Sequence, residues 1–521
     1  FGRRTLSYGE LAARIRAVAA GLRDEGLATG ERVLFSVRPG PDAVVLALGI
    51  VHAGGTVVFA DPGAGEALFR ARAALAAPRW VAAESVLHLA SWGPFRPIAR
   101  RRGLELAPYG RLVPDARHVY AGRWLPGVPR AALPLRWLSR ARSGRIETVP
   151  RDADFDTPPA AATQSAEVQD ALIIFTSGTT DAPKAVVHTR ASLGAGLADF
   201  AAEVGIRPGH RVLTDQLMVG IPALIAGAHW TMPPYGANPG ARPEQYLAVL
   251  PEAELLFAVP AALDAILRAL DARPELTPRH LDTIVLGGAP VLRPLLERTL
   301  ARFPEARIRT VYGMTEILPV AIADGVEKLA ALTRGDATVG DAVGRLVPSV
   351  SARVVDGELV LSGRGLARGY LADLPQHPLA ELPTGDLARI EPGPDGDHLI
   401  LLGRRKDMFI RGTQNVYPGL YEPVIAGLPG VADVAMVGIP DPIGDDRIVV
   451  VVVPADDPPA AATTAHPLVA AVARALPGLI DAGVLPDAVV AIPGLPRSGR
   501  GRKLDRGALA ASLAGFARMA P

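Results

Sequence analysis

Thr176-Ser177-Gly178-Thr179-Thr180-Asp181-Ala182-Pro183-Lys184 is entered directly from the apolar run Ala171-Leu172-Ile173-Ile174-Phe175. A short buried strand running into a turn of hydroxyls, one glycine and a lysine suits a polyphosphate. It offers close backbone approach, several donors and one mobile positive charge. The spacing excludes the common phosphate loop, which needs a pair of glycines followed at once by Lys and Ser or Thr. A triphosphate-binding turn of another kind is implied.

Outward from this strand, the N-terminal side alternates. Ser7 to Leu27 has helical spacing behind a Ser/Tyr start, Gly30 to Val37 reads as a strand, and Ala43 to His52 as a helix. Thr56 to Phe59, Ala64 to Ala76 and Trp80 to Ala83 continue as strand, helix and strand. This is an α/β pattern with mainly parallel strands. The opening Phe1-Gly2-Arg3-Arg4-Thr5-Leu6-Ser7-Tyr8 reads as the middle of a strand region, so the natural chain is expected to begin earlier.

Residues 92–165 depart from this pattern, being rich in Pro, Arg and Trp, with Arg100-Arg101-Arg102 and Arg136-Trp137-Leu138-Ser139-Arg140-Ala141-Arg142. Basic residues interleaved with Trp are compatible with contact to membrane headgroups. Pro126, Pro129 and Pro134 break any continuous helix. The favoured reading is a solvated variable segment with arginines packed on carboxylates. A second α/β stretch runs from Lys184 to about residue 402. A boundary falls near Gly403 to Asp407, followed by apolar runs at Val434 to Ile439 and Ile448 to Val453. The Pro/Ala-rich 455–462 reads as an exposed loop.

The chain of 521 residues exceeds a single core, which stops growing near about 250–300 residues, so at least two domains are expected. Hydrophobic content of 49% with 21% charged residues fits a globular protein with a large core. The absence of cysteine excludes disulfides, thiolate metal sites and a cysteine nucleophile. A formal charge of +2 from 55 basic and 53 acidic residues argues against nucleic acid and for small-molecule partners. No apolar run approaches the roughly 20 residues that span a bilayer, and a cytoplasmic location is expected.

Five further segments follow the opening motif in order: Gly287-Gly288-Ala289-Pro290 after a strand from Thr283 to Leu286, Val311-Tyr312-Gly313-Met314-Thr315-Glu316, Pro383-Thr384-Gly385-Asp386, Gly403-Arg404-Arg405-Lys406-Asp407, and Arg502-Lys503-Leu504-Asp505-Arg506. Together with Thr176 to Lys184 they resemble the signature set of the adenylate-forming superfamily, which includes acyl-CoA synthetases, luciferases and the adenylation domains of peptide synthetases. The resemblance covers nearly the whole chain. It implies a large N-terminal domain of packed α/β subdomains, residues 1–405, and a small mobile α+β C-terminal domain, residues 406–521.

The resemblance also implies roles. Thr176, Ser177, Gly178, Thr179, Thr180 and Lys184 would clamp the phosphates of ATP, and Gly288, Ala289, Pro290 and Gly313 would border the nucleotide. Tyr312 would stack on adenine, Asp386 would accept the ribose hydroxyls, and Arg404 would hold the ribose from the hinge side. Thr315 would hydrogen-bond the α-phosphate, and Glu316 is similar to the family's Mg2+-binding glutamate. Lys503 resembles the C-terminal lysine that reaches the α-phosphate and the substrate carboxylate. Lys406 occupies the hinge position. Such a set is chemically reasonable, because a carboxylate attacking the α-phosphorus needs the charge on the phosphates neutralised.

Some positions depart from the family pattern. Asp181 replaces the glycine after the Thr-Thr pair and Arg502 replaces the glycine before the lysine. The histidine slot beside the acid pocket is Leu217, and a pocket of Leu217, Met218, Ile221, Met314, Ile317 and Leu318 favours aliphatic acids. Arg411 to Glu422 resembles the stretch lining the thiol tunnel, with Leu420 in place of its first glutamate and Glu422 kept. The expected activity is ATP-dependent formation of an acyl adenylate from a carboxylic acid, aliphatic or fatty acyl, with release of pyrophosphate, followed by transfer to CoA or an acyl carrier protein. Asp61-Pro62-Gly63-Ala64-Gly65 and Thr315 to Val320 also look like segments of β-lactone synthetases, in which a β-hydroxyl closes on the activated carbonyl. A third reading, prompted by Asp181 and Arg502, is an ATP-binding scaffold that has lost catalysis.

Overall fold

A computed structural model describes residues 5–60, 62, 65–101, 106–113, 115–139, 168–176, 184–234, 243–333, 340–411, 414–440, 446–480, 484–498 and 503–513, with only the backbone described for Lys406, Ile410, Arg411, Gln414, Asn415, Pro440, Ser498 and Lys503. The helix Tyr8–Asp24 begins at a Ser7/Glu10 capping box, in which each side chain binds the other's backbone N–H. Its buried face, Val18, Ala19 and Leu22, packs on the helix Pro41–Ala53, and both cover the first sheet.

In chain order the first strands are β1 (Arg32–Ser36), β2 (Thr56–Phe59), β3 (Trp80–Glu84), β4 (Arg117–Ala121), β5 (Leu133–Pro134), β6 (Asp170–Thr176) and β7 (Lys184–Thr189). Next come β8 (Arg211–Leu213), β9 (His229–Thr231), β10 (Leu255–Ala258), β11 (Thr283–Gly287) and β12 (Arg307–Met314). Then follow β13 (Ile317–Asp324), β14 (Asp341–Leu346), β15 (Val350–Val355), β16 (Glu358–Gly363), β17 (Gly369–Tyr370), β18 (Leu382–Gly393) and β19 (Gly396–Arg404).

The first sheet has the order β17-β7-β6-β2-β1-β3-β4-β5. Its strands from β6 to β5 pair parallel, as the βα alternation predicts, and β1 and β3 are buried along almost their whole length, as a sheet covered on both faces requires. At the other edge β7 and β17 run antiparallel.

The second sheet, β15-β16-β18-β19-β14-β13-β12-β11-β10-β8-β9, is parallel only from β12 to β9. The rest is antiparallel. That half was not visible in the helix-strand alternation, because among the described residues β12 to β16 succeed one another with a single helix, Gly325–Thr333, between them.

The Pro/Arg/Trp-rich stretch is only in part a solvated segment. His118 to Ala121 are buried in β4 between β3 and β5, a short apolar strand whose local pattern is swamped by its flanks. The arginines do meet carboxylates: Arg96 pairs with Glu66, and Arg117 lies 4.0 Å from Glu25. Residues 140–167 lie outside the described residues.

After β19 come a short turn, Arg405–Asp407, and a small unit with its own core. In it Val431–Pro440 pairs antiparallel with Asp446–Pro454, which pairs parallel with Ala488–Ala491. No described helix is long and apolar enough to cross a membrane.

Candidate active site

In open α/β sheets ligands usually bind outside the carboxyl ends of the strands. In the first sheet, Thr176 at the end of β6 pairs directly with Lys184 at the start of β7, so the ends of the hydroxyl-rich loop are fixed opposite each other. Ser177, Gly178, Thr179 and Thr180, with Asp181, lie outside the described residues. In the second sheet, β11 ends at Gly287 and leads into exposed Gly288 and Pro290 and half-buried Ala289. Tyr312, Gly313 and Met314 close β12 at a bulge in its pairing with β13.

Three of the residues singled out in the sequence form one group. Asp386 and Arg404 stand opposite each other in the β18–β19 register, with Arg404 Nε 2.8 Å from Asp386 Oδ1. Tyr312 Oη donates to Asp386 Oδ2 at 2.5 Å. The Asp386 residue is 2% exposed, and its Oδ1 meets the Arg404 guanidinium as an ion pair without an aligned hydrogen bond. Burial and then the Asp386 charge push the Tyr312 hydroxyl well above its ordinary pKa, so it stays a donor. The Thr384-Gly385-Asp386 turn needs positive φ at Gly385 (73°), which glycine adopts without a steric penalty.

Glu358 was not singled out in the sequence. It accepts the Gly385 N–H at 2.9 Å and an Arg405 Nη1–H at 3.0 Å, tying this turn to the segment where the chain leaves the large unit.

A second group joins the two sheets. Glu316 Oε1 accepts the Tyr370 hydroxyl at 2.9 Å, and the Lys184 ammonium lies 5.5 Å from the centre of the Tyr370 ring. Lys184 and Glu316, 132 positions apart in the sequence, thus share one neighbour. His188 Nε2 lies 2.8 Å from the Thr315 carbonyl, so Nε2 carries the proton and Nδ1 accepts from Ser192 Oγ at 3.2 Å. Burial lowers the pKa of His188, which keeps the ring neutral. Neither Tyr370 nor His188 was found by sequence reasoning. The one local signal for Tyr370 is an aromatic residue beside a glycine.

The six residues named for the acid pocket lie on the helix Leu217–Ile225 and at the junction of β12 and β13. Met218 packs on the core of the first sheet, while Met314 and the buried Ile317 belong to the core of the second. Leu217, Ile221 and Leu318 are half-buried. On the same helix, Leu217–Ile225, Gly220 lies flat against the Trp230 indole, which donates from Nε1 to the Thr214 carbonyl at 3.0 Å.

In the small unit, Lys503 pairs through its backbone with Ser498 in a two-stranded hairpin. Nearby Arg506 donates to both oxygens of Glu422 at 2.6 and 2.8 Å and to the Met436 carbonyl at 3.0 Å, and lies 3.5 Å from Asp407. Glu422 also accepts the Met436 N–H at 2.7 Å, so both of its oxygens are engaged within the small unit. Asp407 follows Lys406 in the turn after β19, so Arg506 links the start of the small unit to the helix that follows the lysine hairpin.

The family model of the AMP-binding enzyme matches residues 1–371, and that of the AMP-binding enzyme C-terminal domain matches residues 421–502. The chain belongs to the AMP-binding enzyme family. Among its relatives, feruloyl-CoA synthase of Amycolatopsis sp is 28% identical over 85% of this chain and 82% of that protein. Isonitrile lipopeptide synthase of Streptomyces coeruleorubidus is also 28% identical, over 98% of the chain, which spans only 32% of that larger protein. The crystal structure of ATP-bound MatB from Rhodopseudomonas palustris shares the fold of this AMP-binding enzyme with a TM-score of 0.74. It is 22% identical and covers 98% of this chain and 94% of its own. The large N-terminal and small C-terminal units are those of this family.

Proposed function

We propose that the chain activates a carboxylic acid with ATP as an acyl adenylate and passes the acyl group to a thiol of CoA or of an acyl carrier protein. The observation that carries this reading is the Tyr312–Asp386–Arg404 group, a buried acceptor with an aromatic ring and a cation beside it, in the right chemistry for a nucleoside. Tyr312 offers its ring to adenine, and Asp386 and Arg404 hold the ribose. Thr176 and Lys184 bracket the loop that receives the β- and γ-phosphates.

Glu316 would hold Mg2+ through its carboxylate, with phosphate oxygens completing the shell of the ion. Bound there, the ion supplies charge neutralisation on the polyphosphate.

In the reaction, a carboxylate oxygen bonds to the α-phosphorus as the bond to pyrophosphate breaks. The Thr315 hydroxyl and the Lys503 ammonium stabilise charge at the α-phosphate, and Lys184 stabilises charge on the leaving group. Lys406 acts as the pivot for the small domain, residues 406–521, between adenylation and thiol transfer. The apolar side chains of Leu217, Ile221, Met314 and Leu318 favour an aliphatic acid, and the cytoplasm is the compartment where ATP and CoA meet it.

The test is pyrophosphate release from ATP and Mg2+ with a panel of acids, with and without CoA. Pyrophosphate with a thioester product is the expected result. Pyrophosphate with a thiol-free cyclic product from a β-hydroxy acid would replace thiol transfer by lactone closure. ATP binding without turnover on any acid would overturn the enzymatic reading. Adenylation untouched in Lys503→Ala but abolished in Lys184→Ala would overturn the role of Lys503.

A further inference from the structure

The segment from Ala367 to Leu371 leaves the second sheet and straps itself across the first. Arg368 N–H donates to the Val187 carbonyl and Leu371 N–H to the Ala185 carbonyl, each at 2.8 Å, so Tyr370 is fixed opposite Val186 on the strand that begins at Lys184. At its other end Ala367 N–H donates to the Glu316 carbonyl at 2.7 Å. The strap therefore grips the backbones of both Glu316 and the Lys184 strand, and the Tyr370 side chain touches both side chains: its hydroxyl the Glu316 carboxylate, its ring the Lys184 ammonium.

A tyrosine in this place can do two separable things. A hydroxyl donating to one carboxylate oxygen locks the carboxylate rotamer and leaves the other oxygen to face a cation; outer partners of this kind orient metal ligands. A ring within about 6 Å of an ammonium holds a long flexible side chain in one posture without neutralising its charge. We propose that Tyr370 is a positioning residue for the adenylation site, orienting Glu316 towards the metal through its hydroxyl and Lys184 towards the phosphates through its ring. This inference rests on the adenylating reading above.

Two variants separate the two contacts. Tyr370→Phe removes the hydroxyl and keeps the ring; Tyr370→Leu removes both. The readouts are equilibria: free Mn2+ followed by electron paramagnetic resonance during titration of the full chain with a non-hydrolysable ATP analogue present, and calorimetric binding of the same analogue in chelator without metal. In Tyr370→Phe, the Mn2+ half-saturation is expected to rise about tenfold or more, while metal-free analogue binding stays within about twofold of wild type. In Tyr370→Leu, metal-free binding weakens as well, by about threefold or more.

A packing role alone would lower the melting temperature of both variants and leave the Mn2+ half-saturation unmoved. Unchanged Mn2+ half-saturation in Tyr370→Phe overturns the hydroxyl's role, and unchanged metal-free binding in Tyr370→Leu overturns the ring's. A wild-type chain that binds neither the analogue nor Mn2+ overturns the adenylating reading itself, and this inference with it.

Discussion

Arg404 stands directly across the β18–β19 ladder from Asp386, its Nε 2.8 Å from a carboxylate that is almost wholly buried. The pairing is unequal, since the arginine side chain is 41% exposed and the aspartate side chain 3%. Arg404 can move towards a ligand, whereas Asp386 is held by its turn and by Tyr312. Asp386→Asn removes the charge while keeping the shape, and hydrogen bonds to charged groups contribute about 1.5–3 kcal/mol. The variant should bind ATP about 10–100-fold more weakly. Calorimetry with an ATP analogue measures it, and affinity within about threefold of wild type would remove Asp386 from the nucleotide site.

Much of this site was legible in the chain because its pieces sit at the ends of elements with strong local patterns. Val33 to Phe35 and Trp80 to Ala83 are apolar throughout, so the parallel strands announce themselves, and Gly287 to Pro290 follows a strand that can be read without structure. Tyr370, Glu358 and His188 could not be read in this way. Each acts on a residue far away in the chain, and a two-residue edge strand such as β17 has no periodicity to detect.

Gly220 tests the packing behind the helix Leu217–Ile225. A Cβ at this position would lie 1.9 Å from Trp230 Cε2, so Gly220→Ala must displace an indole anchored to the Thr214 carbonyl. Overpacking of this kind costs about 1–3 kcal/mol. Gly220→Ala should lower the melting temperature, and in a Trp230→Leu background the same substitution should cost little. An equal cost in both backgrounds would show that the indole is not the obstacle.

Arg506 ties Glu422 of the small unit to Asp407 of its connecting turn. Its side chain and that of Glu422 are 22% and 14% exposed, and Glu422 and Asp407 raise the pKa of the guanidinium against the effect of burial. Arg506→Ala leaves a largely buried carboxylate unpaired, at a cost of about 3–5 kcal/mol. Because the contacts lie within the small unit and its connecting turn, limited proteolysis should cut this variant after Arg404 sooner than wild type, with the large unit left intact. Wild-type resistance to the protease would assign the fold of the small unit to its apolar cores alone.

His88 and His118 give the stability of the large unit a dependence on pH. Their rings are 5.6 Å apart and buried, and His88 also lies edge-on to Tyr109. Burial, with mutual repulsion at His88, lowers both from 6.5 to about 4. Both are therefore neutral in the folded chain at pH 7, whereas the unfolded chain takes up protons below about 6.5. The stability that neutral burial contributes is fully present above pH 6.5, is lost as the pH falls towards 4, and changes no further below that. By pH 5 the loss is about 2 kcal/mol per histidine. Urea unfolding at pH 7 and pH 5 should show this fall in wild type, and His118→Gln should recover roughly half of it. A variant with the same pH dependence as wild type would place the acid sensitivity in the carboxylates instead of this histidine pair.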